Sequence, residues 1–140
     1  MTRMSIEELH AFLEREFPEI GWMGVRIERV DRRRITVRLP AEPRNLRPGG
    51  TISGPAMMSL VDLGMYLLVL AQIGPVPLAV TTNLNIDFLR KPPPGELRAE
   101  GELLKLGKRI AVGDFRIFGV EGEEPVARAS LTYSIPPDRA

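Results

Sequence analysis

The sequence predicts an α+β domain in which a curved antiparallel sheet wraps around one long apolar helix, with an additional helix at the N-terminus. Three observations carry that prediction. The run Gly54-Pro-Ala-Met-Met-Ser-Leu-Val-Asp-Leu-Gly-Met-Tyr-Leu-Leu-Val-Leu-Ala71 is apolar on nearly every side, so a helix there needs cover in all directions. Two strand-like segments precede it and four follow it at hairpin spacing. Antiparallel strands joined by short turns form one sheet, and a long helix hides all of its sides only if that sheet curls around it.

The elements follow in chain order. Ser5 with Glu8 has the spacing of a capping box, and Ile6, Leu9, Phe12 and Leu13 recur at helical intervals, so a first helix runs from Ser5 to near Pro18. His10 falls on its polar side and is expected to be solvated. Residues 24–30 and 34–39 alternate apolar with polar, and Asp31-Arg32-Arg33 between them suits a hairpin turn. The stretch from Pro40 to Ser53 holds Pro43, Pro48 and Gly49-Gly50 and reads as a long loop. The central helix should begin at 53–55, with Ser53 or Gly54 as cap and Pro55 in the first turn, and should end near Ala71, before Gly74, Pro75 and Pro77. Strands are expected over 79–89, 96–106, 109–119 and 125–135. The breaks between them are Pro92-Pro93-Pro94-Gly95, Gly107 and Glu121-Gly122-Glu123.

Composition narrows the function. With 140 residues, 44% hydrophobic and 26% charged, the chain fits a single domain over 1–140. Nineteen basic and 18 acidic residues leave a formal charge of +1, which offers no global attraction to nucleic acid or to anionic membranes. The absence of cysteine removes disulfides, thiolate nucleophiles and thiolate metal sites, and one histidine cannot build a zinc cage, so neither metal nor bound cofactor is expected. The N-terminus carries early acids and no signal-like apolar stretch, which leads to the expectation of a cytoplasmic protein.

Asp62 is the only charged residue between Arg47 and Asp87, in the middle of the apolar run. An ionised acid buried without partners is strongly unfavourable, so it must be paired, hydrogen-bonded, protonated, or placed beside a cavity that uses its charge. The last is the reading adopted. The run is long enough to suggest a membrane span, but Asp62, Pro55, Gly64 and the strands that follow favour a core helix. Met57, Met58 and Met65 read as core packing, with the flexibility to line an adaptable pocket.

Two stretches carry a family resemblance that covers roughly residues 20–135. Ser53-Gly54-Pro55, with Asp62 eight residues after Gly54, resembles the His-Gly-Gly and helix acid of hotdog-fold acyl-CoA thioesterases of the phenylacetic-acid-degradation type, within the 4-hydroxybenzoyl-CoA thioesterase-like superfamily. Asn83-Leu-Asn-Ile-Asp-Phe-Leu-Arg-Lys-Pro92, followed by Gly95, is similar to that family's third strand and basic turn. The family's histidine is Ser53 here, and Pro55 breaks its glycine pair. The resemblance implies a hydrolase that splits an acyl-CoA thioester into acid and coenzyme A, with Asp62 as the catalytic acid. It also implies that Asn45 helps hold the water or the thioester, and that the chain forms a homodimer, with a tetramer of two such dimers left open.

Helix geometry adds a constraint. Eight residues at 1.5 Å rise separate the Gly54 backbone from Asp62 by about 12 Å, too far to act on one carbonyl. Two chains paired about a two-fold axis, with helices antiparallel, would bring Gly54 of one to Asp62 of the other. The Gly54 amide at the helix N-terminus then faces the oxygen that gains charge, while Asp62 attacks the carbonyl carbon or activates a water. Ser53 is assigned a polar contact to substrate. Arg90-Lys91 and Lys108-Arg109, beside two strand turns, offer positive charge for the coenzyme A phosphates. Bland readings stand beside these: Asp62 as a structural acid, Gly54 and Pro55 as ordinary helix-start residues, Asn45 as a turn former, and the basic pairs as solvated strand ends. A non-catalytic acyl-CoA or ligand-binding dimer is the alternative function. A hotdog hydratase would want a histidine near the helix, where the chain has none.

Overall fold

The computed structural model describes residues 2–137. Helix α1 spans Ile6–Glu16 and starts with the expected reciprocal cap: the Glu8 carboxylate accepts the Ser5 N–H at 2.9 Å and Ser5 Oγ accepts the Glu8 N–H at 3.1 Å. Leu9, Phe12 and Leu13 form its buried face. The backbone leaves the helix at Phe17, and Pro18 opens a 3-10 turn over Pro18–Met23 that closes on Gly24 in the left-handed region. His10 departs from expectation. It is half-buried, and its Nε2 accepts the Ile27 N–H at 3.4 Å, because α1 lies against the first strand and a ring on that flank meets an orphan amide.

Strands β1 (Arg26–Asp31) and β2 (Arg34–Leu39) form a hairpin with Arg32 and Arg33 as its two-residue turn. Arg33 has φ +75°, a left-handed conformation that normally falls to glycine or asparagine. The register shift between Ile27 and Arg29 marks a bulge, which accounts for the broken alternation in which Ile27 and Val30 share a face. The loop that follows is more ordered than its prolines and glycines suggest. It holds a 3-10 turn at Pro43–Asn45, and Leu46 bridges to Ile52.

Helix α2 spans Gly54–Ile73, capped by Ser53 and stopped at Gly74, whose N–H returns to the Leu70 carbonyl at 2.8 Å. By length and composition it could cross a membrane, yet 72% of its most apolar window is buried inside the fold. Its cover is a six-stranded antiparallel sheet in the order β1-β2-β4-β5-β6-β3, with β3 at Val80–Phe88, β4 at Leu97–Leu106, β5 at Ile110–Gly119 and β6 at Ala127–Ser134. All six strands pack against α2, which is the wrapped-helix arrangement of the hotdog fold.

Close approach of helix and sheet is made by missing side chains. A Cβ on Gly101 would lie 2.2 Å from the Phe115 ring, and one on Gly64 of α2 would lie 2.8 Å from the same ring. Phe115 therefore occupies the space that two glycines vacate, one on each layer. At the other side of the sheet β3 is an edge strand. It has β6 on one flank and no strand on the other, and none of its nine residues is fully buried.

Candidate active site

The N-terminus of α2 has few amides to offer. Ser53 Oγ accepts the Ala56 N–H at 3.2 Å, the Ser53 carbonyl accepts the Met57 N–H at 3.0 Å, and Pro55 has no N–H. That leaves Gly54 as the one first-turn amide for which the described residues supply no acceptor. The Phe88 ring, at the far end of β3, packs on Gly54: a Cβ there would sit 3.5 Å from Phe88 Cζ.

Asp62 lies two turns further on, half-buried on the flank of α2 that faces β3 and β6. Its Oδ1 accepts two hydroxyl donors, Thr81 Oγ1 at 2.6 Å and Tyr133 OH at 2.8 Å. Tyr133 OH also lies 3.0 Å from the Asp62 main-chain oxygen. Oδ2 has no partner among the described residues. Two donors on one oxygen fix the plane of the carboxylate and leave the other oxygen for chemistry. Burial, and next the negative charge of Asp62, push the Tyr133 phenol well above its ordinary value, so it remains a protonated donor at any physiological pH.

This carboxylate opens onto a cavity of about 390 Å³. One wall is Tyr133, Thr81 and Ala79; the other is Tyr66 and Leu63 of α2 with Phe17 and Ile20 from the joint between α1 and the 3-10 turn. Tyr66 donates to the Pro77 carbonyl at 2.9 Å and meets Phe17 edge-on at 6.2 Å between ring centroids. Its phenol is pushed up to about 12, first by burial and then by the charge of Glu16. The chamber is thus mostly apolar, with Asp62, Thr81 and Tyr133 as one polar group and Glu16 and Ser59 as its other polar side chains.

The other residues proposed from sequence are scattered. Asn45 is wholly buried: its Nδ2 donates to the Pro40 carbonyl at 3.0 Å and the Met23 carbonyl at 3.4 Å, and its main-chain oxygen accepts the Ser53 N–H at 2.8 Å. Its Oδ1 is buried with no partner among the described residues. Asn45 therefore ties the end of β2 and the 3-10 turn to the start of α2, and it does not line the Asp62 cavity. Ser53 uses its oxygen as the helix cap. Arg90 hydrogen-bonds to the Pro125 carbonyl and lies 3.9 Å from Glu124; Lys91 is exposed beside it. Lys108 and Arg109 are exposed in the β4–β5 turn.

Register places the two basic pairs at opposite ends of one chain. Tyr133 pairs with both Thr81 and Ala111, which puts Lys108-Arg109 near the Asp62 end, whereas Phe88 pairs with Ala127 near Arg90-Lys91 and Gly54. Seven residues of β3 separate Thr81 from Phe88, about 23 Å at strand rise. Met58 also departs from the core reading, since it is 41% exposed, while Met57 and Met65 are buried. Trp22 is exposed too, and the aromatics that line the cavity are Tyr66, Phe17 and Tyr133. Sequence reasoning missed Thr81 and Tyr133. Their only local signal is a hydroxyl in an otherwise ordinary strand.

Comparison with known proteins points in one direction. Residues 49–126 match the profile of the thioesterase superfamily. A candidate esterase of Pseudomonas aeruginosa is 30% identical over 136 residues, covering 95% of this chain and 99% of that protein. The crystal structure of a candidate thioesterase from Silicibacter sp. TM1040 is 47% identical with a TM-score of 0.90, covering 98% of this chain and 95% of that one. A thioesterase-type protein from Streptococcus pneumoniae, crystallised with coenzyme A, has a TM-score of 0.73 at 22% identity, covering 97% of this chain and 100% of that one. At that identity the last likeness is one of fold.

Proposed function

Since the chain belongs to the thioesterase superfamily, we propose that it hydrolyses an acyl-CoA thioester to the free acid and coenzyme A, at a site completed by two copies of the chain. The observation that carries this reading is Asp62, with Oδ1 held by Thr81 and Tyr133 and Oδ2 left open to an apolar chamber. The substrate is of the aryl or aliphatic acyl class handled by the phenylacetic-acid-degradation type, and coenzyme A is the ligand held by the Streptococcus pneumoniae protein of the same fold.

Support for the dimer comes from β3. An unpaired nine-residue edge with Val80 56% and Phe88 50% exposed is a strand that ordinarily needs cover. Antiparallel pairing of two β3 strands about a two-fold axis would set the Asp62–Thr81 end of one chain beside the Phe88–Gly54 end of the other. The free Gly54 N–H would then face the thioester oxygen. Lys108-Arg109 of the Asp62 chain and Arg90-Lys91 of the Gly54 chain would flank the same site, as anchors for the coenzyme A phosphates. Ser53 and Asn45 act by holding the Gly54 amide in place. Such dimers, alone or paired again into tetramers, in the cytoplasm, complete the reading.

In the base route Oδ2 takes a proton from water, the resulting hydroxide adds to the carbonyl carbon, and the C–S bond breaks. The coenzyme A thiolate leaves and recovers the proton. In the nucleophile route Oδ2 itself adds, thiolate leaves, and water hydrolyses the mixed anhydride. In single turnover in ¹⁸O-water, label in Asp62 establishes the second route, because only there can water add at the Asp62 carboxyl carbon.

Thiol release from a panel of acyl-CoA esters tests the activity, and unchanged turnover by a folded Asp62→Ala protein would overturn it. Mixing the Asp62→Ala chain with a chain disabled at Gly54 tests the shared site: heterodimers regain one intact centre, and activity should return. No recovery on subunit exchange would place both groups on one chain. The single amide left by Pro55 favours a second reading, a non-catalytic acyl-CoA binder, which calorimetric binding without turnover would select.

A further inference from the structure

A second cavity, of about 290 Å³, lies beneath α1 and shares Phe17, Ile20 and Leu63 with the chamber beside Asp62. The same three side chains line both spaces, so they are the partition between them. We infer that the acyl chamber continues past Phe17 and Ile20 into this second cavity, and that these two residues set the length of acyl chain the protein accepts. The inference rests on the acyl-thioester reading and names the part of the substrate that reading leaves open.

The partition has one fixed and two movable members. Leu63 is buried in the middle of α2, held by the core. Phe17 stands outside regular helix, at φ −142° and ψ 54°, between the end of α1 and the 3-10 turn. It is 38% exposed, and its one ring contact is the edge-on meeting with Tyr66. Ile20 is half-buried in the 3-10 turn, whose hydrogen bonds are poorer than those of an α-helix. Rotation of an exposed side chain takes picoseconds to nanoseconds, so Phe17 needs no backbone change to swing aside, whereas Ile20, packed against the core, is the tighter of the two.

The chemistry beyond the partition suits a hydrocarbon chain. Leu13, Pro18 and Val25 supply apolar walls, and Glu14 is the one charged side chain that lines this cavity. His10, at the rim, already accepts the Ile27 N–H through Nε2. A short acyl group fits in the first chamber with Phe17 in place, and a longer unbranched one displaces it and gains the second. The two spaces together form a channel that runs from Asp62, across the α1 joint, to Gly24 and Val25 just ahead of β1.

The test is calorimetric binding of non-hydrolysable thioether analogues of acyl-CoA, of increasing chain length, to the full chain, with thioester turnover measured over the same lengths. Affinity should rise about fourfold per added methylene until the available space is filled. Phe17→Ala should move that plateau to longer chains, with a gain of about tenfold or more for the longest. Ile20→Phe should move it to shorter ones. Phe17 is exposed and Ile20 packs only at the edge of the core, so both variants should fold, and circular dichroism checks this. A plateau at the same length in all three proteins, or no binding of any analogue, overturns the inference. Turnover with a fixed plateau sinks the partition and keeps the hydrolase; a shifting plateau without turnover does the reverse.

Discussion

Replacing Gly54 by alanine separates a reaction role for this residue from a structural one. A Cβ there would lie 3.5 Å from Phe88 Cζ and 3.8 Å from Cε1, ordinary contact distances with an exposed ring. Gly54 is not among the positive-φ glycines, and the cap from Ser53 to Ala56 is untouched. The folded chain thus accommodates the methyl group without strain. Alanine also exceeds glycine in helix propensity by up to about 1 kcal/mol, less in a first turn, so unfolding in urea should show a stability equal to wild type or higher by a few tenths of a kcal/mol. Activity should move the other way. The new methyl group stands beside the one amide of the helix start that has no acceptor among the described residues, where the proposed thioester oxygen would approach to hydrogen-bond distance. Displacing the substrate by about 1 Å is worth roughly 10²-fold in kcat. Thiol release from an acyl-CoA panel and a urea titration on the same preparation decide the matter. Wild-type kcat/KM with wild-type stability would refute the assignment of Gly54 to the reaction centre, and a strongly destabilised protein would refute the packing argument.

Tyr133→Phe removes a hydrogen bond to a charged group, worth about 1.5–3 kcal/mol, and should lower kcat by roughly 10- to 100-fold with little change in KM, because the ring and its packing remain. Gly101→Ala drives a methyl group to 2.2 Å from the Phe115 ring and should destabilise by about 1–3 kcal/mol in urea, with partial rescue when Phe115→Leu is added. Tyr66 gives a pH dependence. Its folded phenol, pushed up to about 12, lies above the unfolded value of about 10, so the stability it confers is complete below pH 10 and is lost as pH rises towards 12. The urea midpoint should fall across that window, and less steeply in Tyr66→Phe; Tyr133, shifted in the same direction, keeps the variant from being flat.

Local patterns carried much of the fold. Ser5 and Glu8 announce a capping box that needs nothing beyond four consecutive residues, and it forms as read. Pro55 and Ser53 place the start of α2 because both act within one turn, and Gly74 stops it as read, with the last turn reaching Ile73, two residues past Ala71. Period alone failed where the backbone left it. The bulge after Ile27 shifts one residue of β1, and the 3-10 turn at Pro43–Asn45 orders a segment whose composition reads as open loop.

The site divides along the same line. The sequence by itself determined that one acid stands in an apolar helix, eight residues after the only glycine of its first turn, and that a sheet must surround it. Those are one-dimensional facts, set by spacing and by the need to bury a helix on all sides. Only the tertiary structure decided what Asp62 touches: Thr81 on β3 and Tyr133 on β6 reach it from 19 and 71 residues away. It also decided that Asn45 is locked into main-chain contacts, that His10 caps a strand amide, and that α1 closes the chamber. Which hydroxyl meets which carboxylate depends on strand register and on the angle at which the sheet wraps the helix. Both arise from packing over the whole domain and leave no mark at any single position in the chain.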